Sequence, residues 1–435
     1  MTYLCTTPHH NKLNGAEYMN CSFTKKSSYK WEVLLLLWMA FLLNQGDRQV
    51  FNTVLPAIRD SLNLTDTSVG LIATIFNLFY AVMVPVGGWA GDRFSRKWVT
   101  TLSIIFWSVA TAFTGLATSF LWLVVLRSVA TGGGEAFFGP ANYSLLGQYH
   151  TDTRARAMSI HQTAYYVGVI LAGWLAGAIA DSLGWKYSFI IFGAAGVIWG
   201  LIMIFRLHDK DEEVSEQAAV AKPGFFEGFK VVFTTPTALV LTIGFSCEIF
   251  VITGYMTWVP AYLQEEFGQN QAMAGFNSMV YTYVAAFIGV LISGTLSDKF
   301  AARSHSSRMI LQAAGLVGGS LFLFFMGART SVWIVYLMFA GWGFFRAFFD
   351  ANIYSVLYDV TPERLHASCS SAMIMTGFAV GALAPVVLGA MKQSIGSLSA
   401  TFPVLGIVWL VSGVMMYISA RLHYNKDYQK HCKDE

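Results

Sequence analysis

Seven ionisable side chains interrupt the apolar runs of this 435-residue sequence: Asp47, Arg48, Arg127, Glu135, Glu248, Arg346 and Asp350. An ionisable group at bilayer depth costs roughly 2.5–3.5 kcal/mol on insertion scales, so such groups normally face a wet cavity. One of them could be a structural ion pair; seven favour a hydrated path. The guanidiniums of Arg48 and Arg127 offer fixed donors that match carboxylate or phosphate oxygens and never lose their charge. Asp47 and Glu135 suit proton carriage. Burial favours the acid form and a neighbouring guanidinium favours the carboxylate, so a partner that comes and goes moves a proton on and off. An incoming anion and a carboxylate would compete for the same arginine, which couples the two. The alternative is that the carboxylates use up the arginines, which then bind nothing else.

Arg346 and Asp350 are four residues apart and share a helix face, where they either neutralise one another or join the path. Arg346 is a second candidate anion contact, from the C-terminal half of the chain. Glu248 reads equally as a gate, an interface residue or a coupling site. Asn77, Tyr80, Gln162, Tyr166, Tyr283, Asn352 and Tyr354 are candidate lining residues that could hydrogen-bond a hydroxyl-bearing ligand. His161 reads rather as a satisfied interface residue. The Gly173-x-x-x-Gly177 step fits close helix packing.

These residues sit in a chain that is 55% hydrophobic and only 12% charged. A soluble domain carries about 25% charged residues, so the composition excludes a typical soluble enzyme and a disordered chain. It points to an all-α integral membrane protein. The net charge of +3 is too small to argue for nucleic acid as a partner. The five cysteines are scattered without metal spacing. No G-x-x-x-x-G-K-[ST] loop, nucleophile elbow or soluble segment of catalytic size occurs. The expectation is a non-enzyme with no metal and no cofactor, driven by an ion gradient and embedded as a monomer in a lipid bilayer.

Twelve apolar runs of about 20 residues follow one another, each long enough to span. The expected organisation is a tail over 1–30, a six-helix bundle over 31–207, a linker over 208–235, a second six-helix bundle over 236–421 and a tail over 422–435. Residues 1–30 contain no apolar stretch of the kind a cleaved signal needs. Of 28 Lys and Arg, 21 fall on the side of the two tails, and only Arg59, Lys186, Arg329 and Lys392 fall in loops opposite. By the positive-inside rule both termini are cytoplasmic. The halves also repeat. Gly88, Asp92, Arg93 and Arg96-Lys97 after the second run are echoed by Gly294, Asp298, Lys299 and Ala302-Arg303 after the eighth, with the aspartates 206 residues apart. A weaker echo joins Arg154-Ala-Arg156 to Arg364-Leu-His366. Both suggest a duplicated six-helix unit with pseudo-symmetric halves.

The G-x-x-x-D-[RK]-x-x-x-R loop and its echo resemble the signature of the major facilitator superfamily, with Ser95 standing where that family usually has glycine. The resemblance covers nearly the whole chain. It implies a cytoplasmic latch made by Gly88, Asp92, Arg93, Arg96, Gly294, Asp298 and Lys299. Asn44-Gln-Gly-Asp47-Arg48, together with Arg127 and the Gly132-Gly-Gly-Glu135-Ala136 stretch, resembles the anion:cation symporter and spinster-like branches. In those branches the aspartate and glutamate carry protons and the arginines bind an anionic substrate. The resemblance therefore implies proton-coupled symport of a small organic anion, such as a sugar acid or hexuronate, by alternating access in the cell membrane. A spinster-like lipid or lysolipid carrier is the second implication, and drug efflux the third. The spacing departs from the pattern at one point. Eight residues separate Arg127 from Glu135 where seven are usual, and on a regular helix eight run about 80° past two turns. A π-bulge or kink within Gly132–Gly134 is expected to absorb the extra residue.

Overall fold

The computed structural model describes residues 15–150, 154–208, 225–301, 304–327, 331–362 and 365–431, though not the side chains of residues 15–28, 92, 154–156, 158–159, 225–226, 298, 301, 366–367 or 431. Every described element of regular structure is helical. The N-terminal set comprises α1 (Gly15–Ser61), α2 (Asp66–Arg93), α3 (Arg96–Thr114), α4 (Phe120–Tyr149), α5 (Arg154–Leu183) and α6 (Trp185–Arg206). A short α7 (Phe225–Thr234) precedes the second set. That set is α8 (Pro236–Phe267), α9 (Gln271–Ala301), α10 (Ser307–Phe325), α11 (Val332–Asp359), α12 (His366–Gly381, resuming at Ala384–Ile395) and α13 (Phe402–Leu422). A final α14 spans Tyr424–His431.

All twelve predicted runs are helical, but among the described residues ten helices, not twelve, are long and apolar enough to cross a membrane. The other two are α1 and α3. The middle of α1 carries Asn44, Gln45, Asp47, Arg48 and Gln49, and α3 is 19 residues long and opens on Arg96-Lys97. The expected tails and linker are also more ordered than their polarity suggests. α1 is already helical from Gly15, α7 occupies the end of the linker, and α14 is held by Tyr424, which donates to Asp359 at 2.6 Å. Ser95, the departure from the family pattern, caps α3 by accepting from the Trp98 amide at 3.2 Å. Gly268 ends α8 with φ of 62°, a left-handed conformation that favours glycine.

Helix pairing reproduces the sequence repeat. In the first set α1 packs on α5, α3 on α6 and α2 on α4; in the second α8 packs on α12, α10 on α13 and α9 on α11. The two sets meet along α5–α9 and α2–α12, which are themselves counterparts. At the first seam Gly173 faces Gly275, and an added Cβ at Gly173 would stand 2.6 Å from the Gly275 carbonyl oxygen. Gly177, the other small residue of that step, lies equally tight against the backbone of Gln271 and Ala272.

One end of the bundle is sealed between the two sets by a charged cluster. Arg59 reaches Asp66 at 2.9 Å and Glu265 at 2.6 Å, and Lys392 reaches the same two carboxylates at 2.8 Å each. At the other end, which carries α14, the α2–α12 seam parts around a cavity of about 430 Å³ lined by Val84, Pro85, Trp89, Pro140 and Met375. Gly88 borders that cavity, and neither Gly88 nor Gly294 has any atom near where a side chain would start. Arg93 lies over Trp89 at 5.9 Å, and Lys299 is exposed. Of the expected latch, the Asp92 and Asp298 side chains lie outside those described.

Candidate functional site

The π turn lies one step earlier than its predicted position. Val124–Thr131 forms i→i+5 hydrogen bonds, and Gly132–Tyr149 is regular α-helix, so the expected irregularity within Gly132–Gly134 is not there. A π turn holds more residues per turn than an α turn, so it takes up the surplus residue all the same. The glycines serve packing instead: Gly132 and Gly133 meet Phe76 and Phe79, and Gly134 meets Phe106 and Trp107. The widened turn carries Arg127 and leaves Glu135 in the same buried neighbourhood.

α1 and α4 join through two crossed ion pairs. Arg48 donates Nε to Glu135 at 2.6 Å, and Arg127 donates Nη1 to Asp47 at 3.2 Å. Thr111 donates to the same Asp47 oxygen at 3.0 Å. Both guanidiniums lie over Phe76, with Arg127 4.5 Å and Arg48 5.4 Å from its centroid, and Arg48 lies 4.3 Å over Tyr80. Cation–π contact of this kind holds a guanidinium in place without using its donors. The second oxygens, Asp47 Oδ1 and Glu135 Oε1, are buried and accept no hydrogen bond. The two carboxyls stand close enough to interact directly.

Arg48 and Arg127 form one wall of a cavity of about 380 Å³ between the halves. Arg346 and Asp350 of α11 stand on the wall opposite with Glu248 of α8. Arg346 lies 3.1 Å from Asp350 and 3.6 Å from Glu248. Asn77, Gln162, Tyr166 and Tyr354 also line the space. Tyr80 borders the second cavity and touches the first through Arg48.

Two predicted lining residues are elsewhere. Tyr283 is buried behind the wall, hydrogen-bonded to Tyr165 at 2.9 Å. Asn352 is buried against α9, bonded to Ser297 and to Ser293. A polar group within an apolar run can hydrogen-bond a ligand only from the right helix face, and its residue type does not say which face it occupies. His161, 0% exposed, stacks on Phe41 and bonds Asn142, as an interface residue should. Lining residues not singled out as such from the sequence include Gln45, Asn52 and Phe76. Gln45 and Asn52 lie three before and four after Arg48, so the register of Arg48 on its helix would have found them. Among the described residues no group of His, Cys, Asp or Glu could hold a metal ion.

Paired helical bundles around one polar, arginine-bearing cavity, sealed at one end, define a multi-pass membrane transporter. Residues 37–385 match the sequence model of the Major Facilitator Superfamily, and the chain belongs to that family. It is therefore a transporter, not an enzyme, of a family that needs no cofactor. It is 25% identical to the hexuronate transporter of Bacillus subtilis, over 87% of this chain and 92% of that one. It is 28% identical to a probable sulfoacetate transporter of Cupriavidus necator, over 89% of this chain and 91% of the other. Its fold is similar to the inward-facing, unoccupied structure of a bacterial homologue of the human lysosomal transporter Spinster. That match has a TM-score of 0.74 and 24% identity, covering 94% of this chain and 98% of that one.

Proposed function

We propose that the protein is a proton-coupled symporter of a small organic anion of sugar-acid or hexuronate type, working by alternating access as a monomer in the cell membrane. In this reading twelve helices span the bilayer in two six-helix halves, and both termini are cytoplasmic. The crossed pairs carry the proposal. Each cavity arginine is held by a carboxylate whose other oxygen is buried and lacks a donor. An anion that takes Arg48 or Arg127 releases Glu135 or Asp47. A released carboxylate in an apolar setting is costly and is relieved by a proton. Anion and proton therefore load together. Asn77, Gln162, Tyr166, Asp350 and Tyr354 surround the space where the rest of the ligand would sit, with donors and acceptors for hydroxyls. Relatives named for hexuronate and sulfoacetate, both organic anions, support the same class.

The end bearing α14 is cytoplasmic in this reading. The sealed far end and the parted α2–α12 seam then make the conformation inward-facing. A spinster-like carrier of lipid or lysolipid is the second reading, favoured by the apolar lining of the second cavity. Uptake into proteoliposomes under an inward proton gradient separates the two. D-galacturonate is expected to accumulate and to be competed by D-galactonate, while glucose and lysophosphatidylcholine do neither. Saturable uptake confined to the neutral or lipid probes would overturn the anion reading.

A further inference from the structure

The two walls of the central cavity differ in charge balance. On the α1–α4 wall two guanidiniums meet two carboxylates, pair for pair. On the opposite wall one guanidinium, Arg346, faces two carboxylates, Glu248 and Asp350. Arg346 is 8% exposed and Glu248 3% exposed. The Arg346 Nε points toward Glu248 from 3.6 Å, too far for a hydrogen bond, and has no other partner. Glu248 and Asp350 also stand close enough to interact directly. The titratable groups facing them from the packed helices are the phenols of Tyr165 and Tyr166 on α5, Tyr255 on α8, Tyr283 on α9 and Tyr354 on α11. None of these supplies a positive charge. Arg48 and Arg127 across the cavity are committed to their own carboxylates.

We infer that Glu248 and Asp350 share one proton above Arg346, making this triad a second proton-binding site, on the half opposite Asp47 and Glu135. With that proton the triad is neutral, and one guanidinium then faces one carboxylate as it does on the other wall. Without it, a surplus negative charge would sit in a pocket that must admit an anion. Asp350 gives the site its route to water, since its side chain is 30% exposed toward the cavity while that of Glu248 is 4% exposed. The unpartnered Nε of Arg346 is the donor that a ligand carboxylate would take. Asp350 keeps its own Nη2 partner meanwhile, so the triad holds its one proton as the anion binds. Its role toward an anion rests on the symport reading above; the resident proton does not depend on it.

Infrared difference spectra of the protein in liposomes at neutral pH, with no ligand added, test the shared proton. Glu248→Gln and Asp350→Asn are each expected to remove the same carboxylic-acid C=O band, because either change leaves one carboxylate balanced by Arg346. The double substitution should remove no more intensity than one single substitution does. Each single variant tests the site by itself, so loss of one to misfolding leaves the other. No loss of a C=O band in either folded variant, or loss in only one, would overturn the shared proton. Failure of the symport reading would show separately, as D-galacturonate uptake indifferent to an imposed pH gradient while the band remains.

Discussion

Arg48 donates to Glu135, 87 residues away, at 2.6 Å, while its sequence neighbour Asp47 belongs to Arg127. The crossing ties α1 to α4 by two buried pairs. Glu135 has a side-chain exposure of 0%, so removing Arg48 alone leaves a buried carboxylate uncompensated, a change that costs about 3–5 kcal/mol. Arg48→Leu is expected to lower the unfolding temperature clearly. Arg48→Leu with Glu135→Gln removes the orphaned charge and should recover most of that loss. Thermal unfolding of the three proteins in one detergent checks it; equal destabilisation of the single and double variants would show that the pair is not what matters.

The apolar runs made the helices legible, because about 20 apolar residues are what a bilayer demands. Charges inside those runs stood out for the same reason, and Arg48, Arg127, Arg346 and Asp350 do line one cavity. The partners were not legible, since nothing in the spacing of Asp47, Arg48, Arg127 and Glu135 says that the pairs cross. Counting residues showed one too many between Arg127 and Glu135, but not which turn would widen. Glycine has no side chain to crowd a turn, which made Gly132–Gly134 the obvious place. Phe76, Phe79, Phe106 and Trp107 pack against those three glycines, and they lie far off in sequence. Tyr283 and Asn352 misled because hydrogen-bonding capacity carries no information about the helix face a residue occupies.

Asp47 and Glu135 are expected to be required for accumulation and dispensable for exchange. Asp47→Asn with Glu135→Gln fixes both groups in a neutral form, so the loaded and empty carriers bind the same number of protons there. External acid, which drives uptake by the wild type, should have no effect on this variant. Counterflow of labelled against unlabelled D-galacturonate should persist, as it needs only reorientation of the loaded carrier. Accumulation that still follows the pH gradient would remove both residues from the coupling.

The cluster of Arg59, Asp66, Glu265 and Lys392 should act as a reversible seal. Its side chains are 7–27% exposed, and pairs in such surroundings contribute up to ~1 kcal/mol each, enough to bias a conformation without locking it. Lys392→Glu turns two attractions into repulsions and should open the far end. Cysteine placed at Asn52, on the cavity wall, should then react several-fold faster with an impermeant maleimide in right-side-out membranes. Glu265→Lys added to Lys392→Glu restores two cations and two anions and should return the slow rate. Unchanged labelling in the single variant would assign the seal to the glycine seam alone.

Gly88 and Gly294 face open space here, on α2 and α9, the two helices that meet the opposite half. At the sealed end the same two helices are packed so closely that Gly70 lies against the backbone of Pro385 and Gly275 against that of Gly173. Closing the α14 end requires a similar approach, and the two unencumbered glycines sit where it would occur. Gly88→Leu should leave this conformation intact, since there is room and leucine is the better helix former. In the closed form the added side chain is overpacked, at a cost of about 1–3 kcal/mol. That disfavours the closed form roughly 5- to 150-fold, and transport should fall while the unfolding temperature holds or rises. Gly294→Leu, its counterpart in the repeat, should do the same. A variant that unfolds early would place Gly88 in a packed contact, and one that transports normally would place the closing surface elsewhere.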